Sequence, residues 1–329
     1  MEFQLITSEA ISQLTATRNG ETKIGETIQV LSEFNAKALQ LSSARFVFIG
    51  IKEDIGPRAN LGRAGAHTAW DAFLPKFLNM QSNRFLNGAD CLIAGSIDLN
   101  ALTSSNELED LRSATSRMDE MVTEVLNLIH QANRIPIIIG GGHNNSYSNI
   151  KAAAINHPNG KINCINIDPH ADFRPLEGRH SGNGFSYAFE EGYLNNYSIV
   201  GLHEGYNSEN MLKALNEKEV SFTTFEAIFI REEINFNSAI SKELKVVNND
   251  KYGVEVDLDA IENVASSAQT PSGISPTHAR RFVHQAGASS NACYLHLCEA
   301  APSLSAQPDQ VGKLLAYLAA DFVKSRNQF

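Results

Sequence analysis

The chain has little of what marks secreted, membrane-spanning or nucleic-acid-binding proteins. It carries only four cysteines, Cys91, Cys164, Cys293 and Cys298, and they are scattered. That spacing excludes a zinc finger or a disulfide scaffold, and three of them (Cys91, Cys164 and Cys293) lie in or beside apolar runs, as buried thiols of a reducing compartment do. No window approaches the roughly 20 apolar residues that cross a bilayer. Long runs of Lys or Arg are missing too. With 27 basic against 37 acidic residues the net charge is −10, which opposes attraction to nucleic acid or to an anionic membrane. Residues 1–5 lack a basic segment leading into an apolar stretch, so no secretory signal is expected and the cytoplasm is the default location. Repeats, low-complexity tracts and linkers are likewise missing, so residues 1–329 are expected to form a single domain. What remains, 43% hydrophobic and 19% charged, is the balance of an ordinary globular protein.

Short apolar runs at 45–51, 135–139, 162–167, 252–256 and 292–297 alternate with helical stretches. Each run is apolar on successive residues and is expected to be buried on both faces, which predicts a mostly parallel sheet between two helical layers, a three-layer α/β/α architecture. Over 107–132, Leu108, Leu111, Met118, Val122, Val125 and Ile129 recur at helical spacing, with Ser104 and Glu107 as an expected capping pair. A closing helix is expected over 308–324.

In open parallel sheets, ligands bind beyond the carboxyl ends of the strands. Three of these runs lead into polar clusters there: Gly140-Gly141-Gly142-His143, Asp168-Pro169-His170-Ala171-Asp172, and Asp257-Leu258-Asp259. Alternate residues of an extended segment point to one side, so Asp168, His170 and Asp172 are expected to converge, as are Asp257 and Asp259. Four carboxylates brought together repel unless cations intervene. Carboxylates with imidazoles and no cysteine make a pair of manganese ions the first expectation, against the bland alternative of solvated strand-end caps.

At this point the chain resembles the ureohydrolases, a family that includes arginase, agmatinase and formimidoylglutamase. The resemblance runs in the family's order from Gly62-Arg63-Ala64-Gly65-Ala66, through the three clusters, to Glu299-Ala300-Ala301-Pro302. It implies an arginase-like fold, two Mn2+ ions and hydrolysis of a linear amidine or guanidine C–N bond. By resemblance His143, Asp168, Asp172 and Asp257 hold one ion, and His170, Asp168, Asp257 and Asp259 the other. Asp172 then handles the proton and Glu299 pairs with the cationic amidinium. Homo-oligomers are also common in the family.

The loop 173–185 bears on the substrate. Arg174, two residues past Asp172, and Ser181-Gly182-Asn183-Gly184-Phe185 are similar to the formimidoylglutamase pattern, with Asn-Gly where that pattern has Thr-Pro. Arg174 offers a forked donor for a carboxylate, while Ser181 and Asn183 can bind an amino-acid end. The expected substrate is therefore N-formimidoyl-L-glutamate, with an arginine-like guanidino acid as the alternative; a non-catalytic binding protein on the same fold is the alternative of another class. His180 is a possible substrate contact, a displaced proton shuttle or an idle loop residue. Arg63 and Arg179 are read either as lining the mouth or as solvated surface charges. His203 is read as a satisfied strand-end histidine, and Gly273 as a backbone requirement near the second ion.

Overall fold

The computed structural model describes residues 3–326. Ten strands form one sheet: β1 (Phe3–Leu5), β2 (Gln29–Val30), β3 (Phe46–Lys52), β4 (Cys91–Asp98), β5 (Ile135–Ile139), β6 (Ile162–Ile167), β7 (Leu194–Leu202), β8 (Ser221–Thr224), β9 (Tyr252–Asp257) and β10 (Ala292–Cys298). Their order is β1-β4-β3-β5-β10-β9-β6-β7-β8, with β2 beside β4. Only β1 runs antiparallel, against β4.

All five apolar runs become strands, and they occupy the interior of the sheet as β3, β5, β10, β9 and β6. Their near-continuous burial follows from helices on both faces. On one face the helices Ala69–Leu78, Pro308–Ser325 and Pro276–Gly287 bring Phe73, Phe77, Leu315, Phe322 and Phe282 against the sheet. On the other, Leu108–Gln131 and Asn145–Ile155 supply Met118, Val122, Leu126, Ile129 and Ile150. This is the expected three-layer α/β/α fold.

Several local expectations need correction. The strand β4 escaped the sequence reading although it is long and buried, and β7, expected only as a short strand before His203, runs over nine residues. The helix at 108 starts on Glu107 with no side-chain cap; instead Ser105 Oγ accepts from Glu107 N and Thr103 Oγ1 from Ser105 N, so short Ser/Thr turns precede the helix where a capping pair was expected. Among the cysteines it is Cys298 that is buried with Cys91 and Cys164, while Cys293 is only half-buried. No helix among the described residues is long and apolar enough to cross a membrane.

The strand order has a direct consequence for function. Four adjacent parallel strands, β5, β10, β9 and β6, end side by side, and the segments leaving them carry His143, Glu299, Asp257 and Asp168 respectively.

Candidate metal centre

At those strand ends lies a cleft of roughly 500 Å³, lined by His170, Asp172, Asp257, Asp259 and Glu299 among others. His143 is fully buried behind it. Its Nδ1 stands 3.1 Å from Asp168 Oδ2, 2.9 Å from Asp172 Oδ2 and 3.1 Å from Asp257 Oδ2. The ligand atoms of these four residues lie within 4.8 Å of one another. His170 flanks the group, with Nδ1 3.5 Å from Asp168 Oδ1.

The convergence does not arise as the alternation of side chains predicted. After β6 the chain leaves the extended conformation, and Asp172 reaches the cluster from left-handed backbone at φ +48°. Asp259 sits in a short helical turn after β9. Both segments are closed by the same device: Asp168 Oδ1 accepts from His170 N, and Asp257 Oδ1 accepts from Asp259 N, each at 2.7 Å. Such Asx turns bend the chain so that residues two apart face one centre. Glu299 also has left-handed backbone, at φ +61°. Two of the seven non-glycine residues with positive φ among the described residues are thus carboxylates of the site.

Do these residues fit a cation? Burial, then the neighbouring Asp259 and Asp168, push the Asp257 carboxyl well above its usual range. Burial, then Asp168, also raises Asp172, and burial raises Asp259. Burial opposes a charge on His170, yet its bond to Asp168 and the surrounding carboxylates carry it to about 10. An environment that draws protons this strongly is short of positive charge. Divalent cations held by oxygen and imidazole ligands supply it, so the group His143, Asp168, Asp172 and Asp257 fits a cation such as manganese, and the Cys298 thiol lies close to His143 and Asp257.

Other residues hold the cage. The loop after β5 is tied by Glu53, whose Oε1 accepts from Gly142 N at 2.6 Å and Asn145 Nδ2 at 2.8 Å, while Oε2 accepts from Gly56 N at 3.0 Å. Gly141 has φ +71°, and a Cβ there would lie 2.9 Å from Glu53 Oε1 and 2.5 Å from Asn145 Nδ2. Asp259 accepts from Ser267 Oγ and Ala268 N. Arg63 binds the carbonyls of Ser266 and Ser267, so it buttresses the Asp259 loop from behind. A Cβ on Gly273 would be 2.6 Å from Ala260 O, which explains glycine beside the Asp259 turn. The edge of Phe185 packs on the His143 ring at 5.1 Å.

Glu299 is 2% exposed, and its Oε1 accepts from His143 N at 2.7 Å. Its Oε2 makes no hydrogen bond of ordinary geometry, although the Ser267 hydroxyl lies near enough to favour the charged carboxyl. Burial, then Asp259, raises its carboxyl to about 8. A buried carboxyl oxygen without a protein hydrogen bond on a cleft is satisfied by a polar group that enters the cleft.

The loop 173–185 divides. Arg174 and Ser181 line the cleft, Arg174 with a half-exposed side chain and only a 3.7 Å approach to Glu177. His180 and Asn183 are instead fully buried behind the wall. His180 Nδ1 accepts from Gly182 N, and Nε2 lies 3.2 Å from Glu177 Oε1. Burial lowers His180 to about 4, so the neutral ring caps its own turn. Asn183 Oδ1 accepts from Arg179 Nη1 and His180 N. Arg179 is neither a surface charge nor a rim residue: at 3% exposure it binds Asp119 and Asn144 O between the Tyr147 and Tyr187 rings. His203 stacks between Tyr206 and Phe225, and its N donates to Pro169 O. Tyr206 in turn stacks on His170 at 5.5 Å and lines the cleft.

Sequence reasoning missed Glu53, Tyr206, Glu255 and His296. For Glu255 and His296 a signal existed: each stands between two apolar residues within a buried strand, Glu255 between Val254 and Val256 and His296 between Leu295 and Leu297.

Known proteins share this fold and family. Among curated relatives, the formimidoylglutamase of Geobacillus thermodenitrificans is 29% identical over 290 residues, covering 83% of this chain and 81% of its own. That of Macrococcus caseolyticus is 28% identical over 180 residues, 55% of this chain; there the match spans about half of the relative, 53%. The crystal structure of formimidoylglutamase from Bacillus subtilis superposes with a TM-score of 0.76 at 20% identity, covering 94% of this chain and 93% of that one. Trypanosoma cruzi formiminoglutamase with Mn2+ gives 0.73 at 21% identity, covering 94% and 99%. These solved structures share the fold. A sequence profile of the Arginase family matches residues 44–325, and the chain belongs to that family.

Proposed function

We propose that the protein is a manganese-dependent hydrolase that converts N-formimidoyl-L-glutamate and water into L-glutamate and formamide. The observation that carries this reading is one cleft holding three things: the carboxylate cage around His143, the Glu299 Oε2 without a hydrogen bond, and the half-exposed fork of Arg174, held only by a 3.7 Å approach to Glu177. The names of the curated relatives support the same substrate.

His143, Asp168, Asp172 and Asp257 would hold one ion, and His170, Asp168, Asp257 and Asp259 the other. Two ions bound there would supply a water of lowered pKa, a nucleophile for the amidine carbon near neutral pH. Glu299 Oε2 binds the amidinium and fixes its plane. Asp172, placed at the cleft floor, accepts the proton of the attacking water and passes it toward the leaving nitrogen. Arg174 pairs with a carboxylate of the glutamate portion, and Ser181 Oγ, which Asn60 Nδ2 approaches at 3.4 Å, offers a further polar contact. Asn183 is already engaged by Arg179, so it leaves the amino-acid end to Arg174 and Ser181.

The chemistry is that of a step in histidine breakdown. We place the protein in the cytoplasm, consistent with four free thiols, and read it as a homo-oligomer by family resemblance.

A panel of formimidoylglutamate, arginine and agmatine, assayed with added Mn2+ for formamide, urea and ammonia, tests the reading. Formimidoylglutamate is expected to turn over fastest; faster release of urea from arginine or agmatine sinks it. In the same assay Arg174→Ala is expected to raise KM for formimidoylglutamate about 10- to 100-fold with little change in kcat, the loss of one charge-assisted contact made equally in ground and transition states.

A further inference from the structure

Beneath the cage lies a cluster of polar side chains that the proposed chemistry does not use. Glu255 on β9 and His296, its neighbour in register on β10, are both fully buried. Glu255 Oε2 stands 2.6 Å from His296 Nδ1. Its Oε1 accepts from Tyr294 Oη at 2.8 Å and from Asn149 Nδ2 at 3.2 Å. His296 Nε2 lies 3.2 Å from Gly140 O, so both of its ring nitrogens face oxygen acceptors. A carboxylate in so dry a place is costly, and the rest of β9 before Asp257 is apolar. Three neighbours nevertheless fix its orientation, and that orientation has a target: Glu255 Oε2 is 3.5 Å from His143 Nε2, a buried nitrogen with no hydrogen-bond partner.

We propose that Glu255 is a positioning residue for His143: its carboxylate accepts a hydrogen bond from Nε2–H, which keeps the proton on Nε2 and leaves the lone pair of Nδ1 facing the carboxylate cage. His296, Tyr294 and Asn149 hold the carboxylate for that task. The alternative tautomer would aim N–H at the metal position and abolish ligation. A carboxylate on the far nitrogen also makes the imidazole a better donor. This inference rests on the reading that the cage holds a metal, and it requires the 3.5 Å separation to shorten to about 2.8 Å in the loaded protein.

Nitrogen-15 NMR of the full chain, labelled at histidine and loaded with diamagnetic Zn2+ or Mg2+, reads the tautomer directly. The proton of His143 is expected on Nε2; a proton on Nδ1 overturns the proposal without any substitution being made. Equilibrium dialysis with Mn2+ supplies the second readout. Glu255→Leu is expected to weaken binding about 10- to 100-fold, and Glu255→Gln, whose carbonyl still accepts, less than about tenfold. Unchanged Mn2+ affinity in a folded Glu255→Leu protein overturns the proposal. Should that variant fail to fold, the parent's tautomer decides the matter, and full affinity in Glu255→Gln with the proton on Nδ1 counts against it. A parent chain that binds none of these ions sinks the metal reading and this inference together.

Discussion

Replacing Asp257 with Ala is expected to remove both ions and to cut turnover by more than about 1,000-fold, the equivalent of roughly 4 kcal/mol of transition-state stabilisation. The size of the effect follows from position. Asp257 Oδ2 faces His143 Nδ1, while Oδ1 shapes the turn that carries Asp259, so one side chain serves both halves of the cage. The same substitution should behave in the opposite way without metal. Burial and two neighbouring carboxylates oppose a charge at Asp257, and deleting it relieves that repulsion. Thermal melts separate the two effects: added Mn2+ should raise the parent's midpoint by selective binding to the folded state and leave the variant's unmoved. A variant that keeps two ions by elemental analysis contradicts the assignment of Asp257 as a bridge.

Arg179→Met is expected to cost about 3 kcal/mol of folding stability, the scale of leaving one member of a buried ion pair behind. Arg179 Nε donates to Asp119 Oδ2 at 2.8 Å, and both residues are 3% exposed. Burial pushes Asp119 up to about 6 even with the guanidinium beside it. Without Arg179 the carboxyl must take a proton or stand unpaired. The sign of the pH dependence follows. A carboxyl whose folded pKa exceeds its unfolded value of about 3.9 binds more protons when folded, so its contribution to stability falls as pH rises between the two. Loss of Arg179 raises the folded value further, and the variant should therefore lose more stability than the parent as pH climbs from about 5 to 8. Adding Asp119→Asn should recover part of the loss, because a neutral amide needs no cation. Urea denaturation at several pH values measures all three proteins; a single variant within about 0.5 kcal/mol of the parent would mean that Arg179 acts only as a surface charge.

Much of the architecture was legible because the interior strands are buried on both faces and so are apolar on every residue. Edge and near-edge elements gave weaker signals: β8 is half-buried, and β1 and β2 are too short to show a period. The candidate ligands were legible because a parallel sheet brings its carboxyl ends to one edge, so Asp or His just after an apolar run is informative. Side-chain direction was not. Alternation placed Asp172 correctly for the wrong reason, since a turn with positive φ aims it. The loop 173–185 shows the same limit: Arg174 and Asn183 read alike as substrate contacts, yet one faces the cleft and the other is drawn inward by Arg179. Arg179 itself could be assigned only once the helix bearing Asp119 had been placed beside it.

The position of β10 also bears on how the chain is made. It is the last strand in sequence but lies between β5 and β9, which do not pair with each other. Until residues 292–298 have emerged from the ribosome, the growing sheet exists as two separate blocks, each presenting an unpaired apolar edge strand. Closure of that gap joins the blocks and brings Glu299 to His143, a contact spanning 156 residues. Among the described strands, the last in sequence is thus the one that completes both the core and the cleft.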